Sequence, residues 1–357
     1  MLSYALKKVL YALITLFGVV SVIFFLFYLI PGDPAQMMLG QNENADQLKQ
    51  LRSKYGFDQP MHQQYLYYLN DLSPLSLHST DPVDFTFDDG RYTKLRLAEV
   101  GTTVVVLKTP YLRQSFQKNG KPVSNVIAET LPNTVVLAIA SISIALIVGM
   151  LLGIISAIKK DSWLDKSIQV VSTLGMSIPS FFSAILFAWF FGFILHQYTG
   201  LNMTGSLYEL DDLGNAMQLH LKNLVLPAVV LGIRPLAVVV QLMRNSLLDV
   251  LQQEYIRTAF AKGLTKTQVI YRHALKNALN PIITALSGWF ASMLAGAVFV
   301  EYIFNWNGLG KELVDALNTL DLPIIMGAII VIATSFIIIN ILVDIVYAIL
   351  DPRISLQ

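Results

Sequence analysis

Five stretches of the chain, residues 9–30, 131–158, 167–195, 278–300 and 322–343, contain no Asp, Glu, Lys or Arg, and each is at least 22 residues long. A helix of about 20 apolar residues crosses the ~30 Å hydrocarbon core of a bilayer. Each run reads as a membrane-spanning helix, since a single segment in lipid must satisfy its own backbone polar groups. A sixth candidate, 223–243, carries one charge, Arg234. The composition agrees: 54% of the 357 residues are hydrophobic and 14% are charged, too little polar surface for a water-soluble domain of this length. The first run follows Lys7 and Lys8, as the core of a signal peptide would. It is longer than such a core, however, and the Ile-Pro-Gly-Asp-Pro around its end offers no small-residue cleavage site. It reads as an uncleaved first span.

Lys and Arg collect on cytoplasmic flanks, which sets orientation. With six spans and the N-terminus inside, the inner flanks hold Lys7 and Lys8, Lys159 to Lys166, Arg244 to Lys276, and Arg353. The two short outer loops hold only Lys222 and Lys311. Both termini and the loop 246–277 are expected to be cytoplasmic. The long outer segment, 31–130, falls outside the rule, because long loops translocate largely regardless of charge.

The loop between the fourth and fifth spans is the most informative polar stretch. From 254 to 277 it reads E-Y-I-R-T-A-F-A-K-G-L-T-K-T-Q-V-I-Y-R-H-A-L-K-N. The sequence predicts a helix over 255–262 ending at Gly263, since glycine enters the left-handed region without strain. Lys262 suits the negative end of the helix dipole. A second helical pattern resumes over 267–276. A helix, a glycine turn and a helix between two spans form either a docking element for a soluble partner or an ordinary basic loop that holds orientation.

Arg234 costs roughly 2.5–3.5 kcal/mol at the centre of a membrane helix, so it should face protein or water. It either lines a translocation path and meets a carboxylate, or makes an internal ion pair or subunit contact. Near the C-terminus, Asn340, Asp344, Tyr347 and Asp351 share one helical face, read as polar anchoring at the cytoplasmic interface. Gly149 and Gly153 form a GxxxG pair, and small-residue rows run through 287/291/295 and 288/292/296; such residues let helices approach closely in lipid. Pro179, Pro227 and Pro235 are expected to kink their helices. In the outer segment a helix is expected over 45–55, broken at Gly56 and Pro60, with another from Gln63 and a strand over 102–107.

Three ordered motif regions resemble one family. They are I-P-G-D-P-A (30–35) with L-R-x-x-x-G-x-D-x-P (51–60) and Q-Y-x-x-Y-L (64–69), then R-T-A-x-A-K-G-L with H-A-L-K-N-A (257–278), and N-x-x-x-D-x-x-Y-x-x-x-D-P-R (340–353). E-T-L-P-N-T (129–134) and E-Y-I-F-N-W-N-G-L-G (301–310) fit the same pattern. The chain is similar to the first-type permease of dipeptide, oligopeptide and nickel ABC importers. The resemblance implies an all-α polytopic membrane protein with six transmembrane helices in the type I ABC importer permease fold and a large extracytoplasmic segment after the first helix. It divides the chain into 1–30, the first span; 31–130, extracytoplasmic; 131–350, a core of five helices with a coupling loop at 246–277; and 351–357, a cytoplasmic tail. An insertion at about 71–111 has no counterpart in the pattern. It reads as a tolerated surface loop or as a contact to a binding protein or the envelope.

The family implies an ATP-driven importer of di- and oligopeptides in a bacterial cytoplasmic (inner) membrane. Implied partners are a second homologous permease, two ABC ATPase subunits that hold ATP and Mg, and an extracytoplasmic peptide-binding protein. Glu254, Tyr255, Arg257, Thr258, Ala259, Lys262, Gly263, Leu264 and His273 then form the ATPase-coupling loop, with Phe260 where the family commonly has arginine. Arg234 is the candidate for the translocation path. A nickel-chelate permease and an ATP-independent secondary transporter are the alternatives. No cysteine exists, and His62, His78, His196, His220 and His273 lack ligand spacing. There is no Walker sequence, G-x-S-x-G or H-E-x-x-H, so no ATPase or other enzyme site, cofactor or metal is expected in this chain. A net charge of +1 argues against nucleic acid as a partner.

Overall fold

A computed structural model describes residues 2–29, 33–39, 44–81, 84, 86, 94–211, 216–279, 281–282, 285, 288–289, 292–293 and 297–350. The chain forms two compact units, one of residues 5–129 and 313–333, the other of 1–4, 130–312 and 334–357.

The elements of the outer segment follow α1 (Leu2–Tyr28): α2 (Pro34–Leu39), α3 (Ala45–Tyr55), α4 (Met61–Leu72), β1 (Leu75–Ser79), β2 (Lys94–Val100) and β3 (Thr103–Lys108). α3 starts where the Asn44 side chain accepts from the Asp46 amide at 3.0 Å and stops at Gly56, φ 69°. That is the expected helix, with the expected terminator. The strands form an antiparallel sheet in the order β1-β3-β2, with Leu77 opposite Val105 and a bulge between Arg96 and Ala98. Val104 and Val106 of the central strand are fully buried. β3 matches the strand expected at 102–107. Its neighbours escaped the sequence pattern because β2, K-L-R-L-A-E-V, is an exposed edge with charges on it. Pro82 and Asp89-Gly90, residue types that favour turns, lie outside the described residues. In the same unit Asp321, 1% exposed, accepts the Ser115 hydroxyl and the amides of Phe116 at 3.1 Å and Gln117 at 3.2 Å.

The remaining elements are α5 (Val123–Ile158), α6 (Trp163–Ser177), α7 (Ser180–Phe187) running into a π-helical turn (Ala188–Ile194), α8 (His196–Thr199), and the hairpin β4 (Tyr208–Leu210) and β5 (Met217–Leu219). Then come α9 (Lys222–Leu251), α10 (Glu254–Ala261), α11 (Lys266–Val269), a second π-helical turn (Ile270–Ala274), α12 (Leu275–Ala278), α13 (Val298–Ile303), α14 (Leu309–Thr319) and α15 (Leu322–Leu350). Among the described residues, four stretches are single helices long and apolar enough to span: Lys7–Tyr28, Val123–Ile158, Lys222–Leu251 and Leu322–Val343.

The run 167–195 departs from the sequence expectation of one kinked span. It is two helices, Trp163–Ser177 and Ser180–Ile194, bent by 108°. Pro179 lacks a backbone donor, and Ile178 before it is pushed to extended geometry, φ −82°, ψ 130°. Pro227 and Pro235 lie inside the continuous α9. The run 278–300 and its small-residue rows fall largely outside the described residues, as do Asp351 and the side chains of Asp344 and Tyr347.

α5 and α9 meet at the GxxxG pair. A Cβ on Gly149 would lie 2.8 Å from Val239 Cγ1, and one on Gly153 would lie 2.6 Å from Met243 Cβ and 2.8 Å from the Val240 carbonyl oxygen. Gly232 approaches the Ser141 carbonyl in the same way. One apolar cluster gathers Leu137, Leu226, Leu231, Val300, Phe304 and Trp306. A second gathers Ala157, Val239, Met243, Leu247, Ile256 and Ala259.

Because backbone cannot rotate away, G153L should lower stability by about 1–3 kcal/mol or more, read as a drop in the thermal unfolding midpoint in detergent. G18L, at a glycine with nothing within 4 Å, should leave the midpoint within about 0.5 kcal/mol of the parent.

Candidate functional site

The polar loop folds as a helix, a glycine turn and a second helical stretch. α10 ends at Ala261 with Lys262 as its C-terminal cap, and Gly263 takes φ +81°, the left-handed geometry that a side chain resists. Thr265 opens α11 with a capping box: its hydroxyl accepts the Gln268 amide, and the Gln268 side chain accepts the Thr265 amide at 3.0 Å. The observed bounds, Glu254–Ala261, are shifted one residue from the predicted helix.

Burial divides the loop into an anchor and an open face. Ile256 is fully buried and Ala259 is 5% exposed. Both pack with Met243 and Leu247 of α9, Ala157 of α5, and Val269, Ala274 and Ala278. Glu254, Tyr255, Arg257, Thr258, Phe260, Lys262 and Gly263 are exposed, and Leu264 is half-buried. Glu254 and Arg257 pair at 2.8 Å across one turn; both are so exposed that the pair orients side chains more than it stabilises the fold. Asn277 donates to the Tyr255 hydroxyl at 2.8 Å and ties the two halves together. The structure thus gathers Glu254, Tyr255, Arg257, Thr258 and Ala259 on one short amphipathic helix, with Ala259 facing inward, and places Lys262, Gly263 and Leu264 in the turn that follows it. His273 is separate, exposed on the second π-helical turn. The open face offers both charge signs and two aromatic rings, which suits docking to a folded partner.

Arg234 is exposed on α9. Its Nε lies 3.5 Å from the carbonyl oxygen of Met176 in the last turn of α6, where carbonyls lack helical partners. Among the described residues no carboxylate pairs with it.

Two clusters beside these residues were not singled out from sequence. Asp165, at the start of α6, takes a two-pronged ion pair from Arg244 of α9: Nε to Oδ1 at 2.8 Å and a second nitrogen to Oδ2 at 2.7 Å. The same carboxylate accepts the Ser156 hydroxyl of α5 and the Asp161 amide at 2.9 Å. The Arg244 hydrogen bonds above all, helped by Ser156 and the Asp161 amide, hold the carboxyl well below the usual carboxylate range. In sequence these are ordinary flanking charges; only the fold makes them partners.

The second cluster joins E-T-L-P-N-T to E-Y-I-F-N-W-N-G-L-G. Glu301, fully buried beyond the apolar run 278–300, accepts the amides of Gly310 at 2.7 Å and Lys311 at 3.2 Å and the hydroxyl of Thr134. Thr134 in turn accepts the Leu309 amide at 2.8 Å. Trp306 Nε1 donates to the Asn133 carbonyl at 3.1 Å, and Asn133 Nδ2 donates to the Asn307 carbonyl at 2.8 Å. Any side chain at Gly308 would collide with the Glu301 carboxyl. Burial pushes that carboxyl up to about 7, against the opposing hydrogen bonds.

A family model described as "Binding-protein-dependent transport system inner membrane component" matches residues 149–356, and a model of the N-terminal region of such components matches residues 1–77. The chain is 32% identical to the dipeptide transport system permease protein DppB of Alkalihalophilus pseudofirmus, over 99% of this chain and 100% of that protein. It is 32% identical to the di/tripeptide transport system permease protein DppB of Pseudomonas aeruginosa, over 100% of both. The oligopeptide transport system permease protein AppB of Bacillus subtilis is also 32% identical, over 99% of this chain and 100% of that protein.

Two substitutions test the clusters. D165N leaves the Arg244 guanidinium without its anion and should cost about 3 kcal/mol, the lower end for breaking a buried pair; an unchanged denaturation midpoint would count against the pair. Glu301 titrates at a higher pH folded than unfolded. Its contribution is therefore fully present below about 4.5 and is lost as pH rises through about 7. Stability should fall over that window by on the order of 3 kcal/mol, and E301Q should flatten the profile.

Proposed function

The chain belongs to the family of binding-protein-dependent transport system inner membrane components, and on that premise we propose that it is the transmembrane permease subunit of an ATP-driven importer of di- and oligopeptides. The observation that carries this reading is likeness over the full length to relatives whose names specify dipeptide, di/tripeptide and oligopeptide transport. It is a multi-pass inner-membrane protein. Its working complex holds a second homologous permease, two ABC ATPases that bind ATP and Mg, and an extracytoplasmic peptide-binding protein. This chain has no ATPase site of its own. Both termini and the loop 246–277 lie on the cytoplasmic side, which the Lys and Arg distribution supports. Nothing among the relatives favours the nickel-chelate alternative.

Coupling runs through α10. Only Gln252 and Gln253 separate it from the end of α9, and Ile256 and Ala259 fasten it to Met243 and Leu247. A displacement of α10 by a closing pair of ATPases therefore reaches α9 through a packed apolar contact, and reaches α6 through Arg244 and Asp165. Packed interfaces of this kind have discrete arrangements rather than continuous compliance, which suits alternation between outward- and inward-facing cavities. Glu254, Tyr255, Arg257, Thr258, Lys262 and Leu264 form the ATPase-facing surface, His273 lies nearby on the same loop, and Arg234 lines the path.

Purification from native membranes in mild detergent should bring ATPase subunits with the chain, and peptide-loaded binding protein should stimulate ATP hydrolysis. Stimulation by a metal chelate alone would move the assignment to nickel. A folded preparation without any ATPase would remove the importer reading. G263V forces a β-branched residue into left-handed geometry at about 1–3 kcal/mol, and should reduce peptide-stimulated ATPase activity several-fold. G263N, which tolerates that geometry, should retain most of it.

A further inference from the structure

Among the four long apolar helices of the described residues α9 is the most enclosed, with 61% of its most apolar stretch buried within this chain, against 17–39% for the others. Across residues 226–248 only Arg234 and Asn245 are exposed. They are eleven residues apart, about three turns and roughly 16 Å along the axis, and therefore share one face. Gln241, half-buried, falls on the same line. Its Nε2 lies 3.6 Å from Met176 Sδ, so Arg234 and Gln241 both reach the same residue of α6. The exposed lines of other spans are apolar, as at Leu10, Ile14 and Phe17 of α1 and Ile147 and Leu151 of α5. Between 226 and 248 the helix turns its apolar residues inward and opens a cation and a carboxamide, with a second carboxamide half-buried between them; that line is not presented to lipid, where each group would be penalised.

We propose that Arg234, Gln241 and Asn245 form this subunit's contact line for a peptide in transit. The Arg234 guanidinium receives the C-terminal carboxylate through its planar fork. The carboxamides of Gln241 and Asn245, each with a donor and an acceptor, take the backbone amides. An extended peptide advances about 3.3–3.6 Å per residue. Roughly three residues reach from Arg234 to Gln241, and four to five span the line. The proposal rests on the peptide-importer reading and adds what the path recognises: a free carboxylate and a peptide backbone, not particular side chains.

The chain contains no cysteine, so single cysteines report on it cleanly. In the full complex with its second permease, ATPases and binding protein, reconstituted in liposomes, R234C, Q241C and N245C are treated with a charged, membrane-impermeant thiol reagent while ATP is cycled. All three should react, and saturating tetra-alanine should slow each reaction several-fold. I147C, on an apolar face, should stay unreactive. In parallel, uptake of tetra-alanine and of its C-terminal amide is compared in R234Q and R234K. R234Q should cut uptake of the acid about tenfold, the scale of a lost charged hydrogen bond, spare the amide, and be partly rescued by R234K. Unreactive cysteines, reactivity that peptide does not slow, or equal loss of acid and amide would each overturn the line and leave these residues as a subunit contact. An unaltered complex that hydrolyses ATP yet moves no peptide overturns the importer reading itself.

Discussion

Helices in a bilayer are not drawn together by a hydrophobic effect, since lipid tails are as apolar as leucine. How near two backbones can come is then decisive, and here it is set where α5 meets α9. Gly149 and Gly153 bring α5 against Val239, Val240 and Met243 with no room for a methyl group, and Gly232 repeats the approach at Ser141. That contact buries one side of α9; the apolar clusters bury others. Enclosure of α9 decides which of its residues stay open, and continuity from α9 into α10 decides what moves with it. A looser α5–α9 contact would expose apolar α9 surface and slacken the anchor under Ile256.

Irregular backbone is the second constraint, because a turn near lipid has few ways to satisfy its amides. The chain solves this with buried carboxylates. Asp165 holds the Asp161 amide after α5, Glu301 holds Gly310 and Lys311, and Asp321 holds Phe116 and Gln117. Each carboxylate is 2% exposed or less; Asp165 and Asp321 fix turns, and Glu301 satisfies first-turn amides of α14 that have no helical partner, which a hydrophobic side chain could not do. They differ in electrostatics. Asp165 has a guanidinium partner and stays ionised; Glu301 has only neutral donors, so burial dominates and raises its affinity for a proton.

Four of the six expected spans, at 9–30, 131–158, 223–243 and 322–343, were legible in the sequence because nearly charge-free runs of bilayer length have few other uses. The helix, glycine turn and helix of the loop 254–277 were legible because Gly263 punctuates two helical patterns, and the conformation it adopts is the one that glycine allows. Less accessible was everything that depends on partners distant in sequence. Asp165 and Arg244 lie 79 residues apart, and nothing local separates them from flanking charges. Asn133 and Trp306 sit in motifs that were recognised separately, 173 residues apart, without any sign that they form one knot. Pro179 was expected to kink a helix and instead breaks it by 108°, because whether freed carbonyls find new partners is settled by neighbours rather than by the proline. The strands β1 and β2 were hidden for a related reason: β1 buries Ser76 and His78 rather than apolar residues, β2 is exposed, and both owe their conformation to the central strand they pair with.

The chemistry of the open line on α9 also bears on selectivity. A guanidinium and two carboxamides recognise groups that every unmodified peptide carries, and none of them discriminates one side chain from another. Contacts of that kind should be weak and interchangeable, because tight retention at one site would slow release into the cell. Discrimination among peptides then falls on a component that can enclose side chains in shaped pockets, which an open line on a single helix cannot do. On the proposed reading, the enclosed helix and its sparse polar face suit a subunit that passes many sequences and leaves choice to a peptide-binding protein.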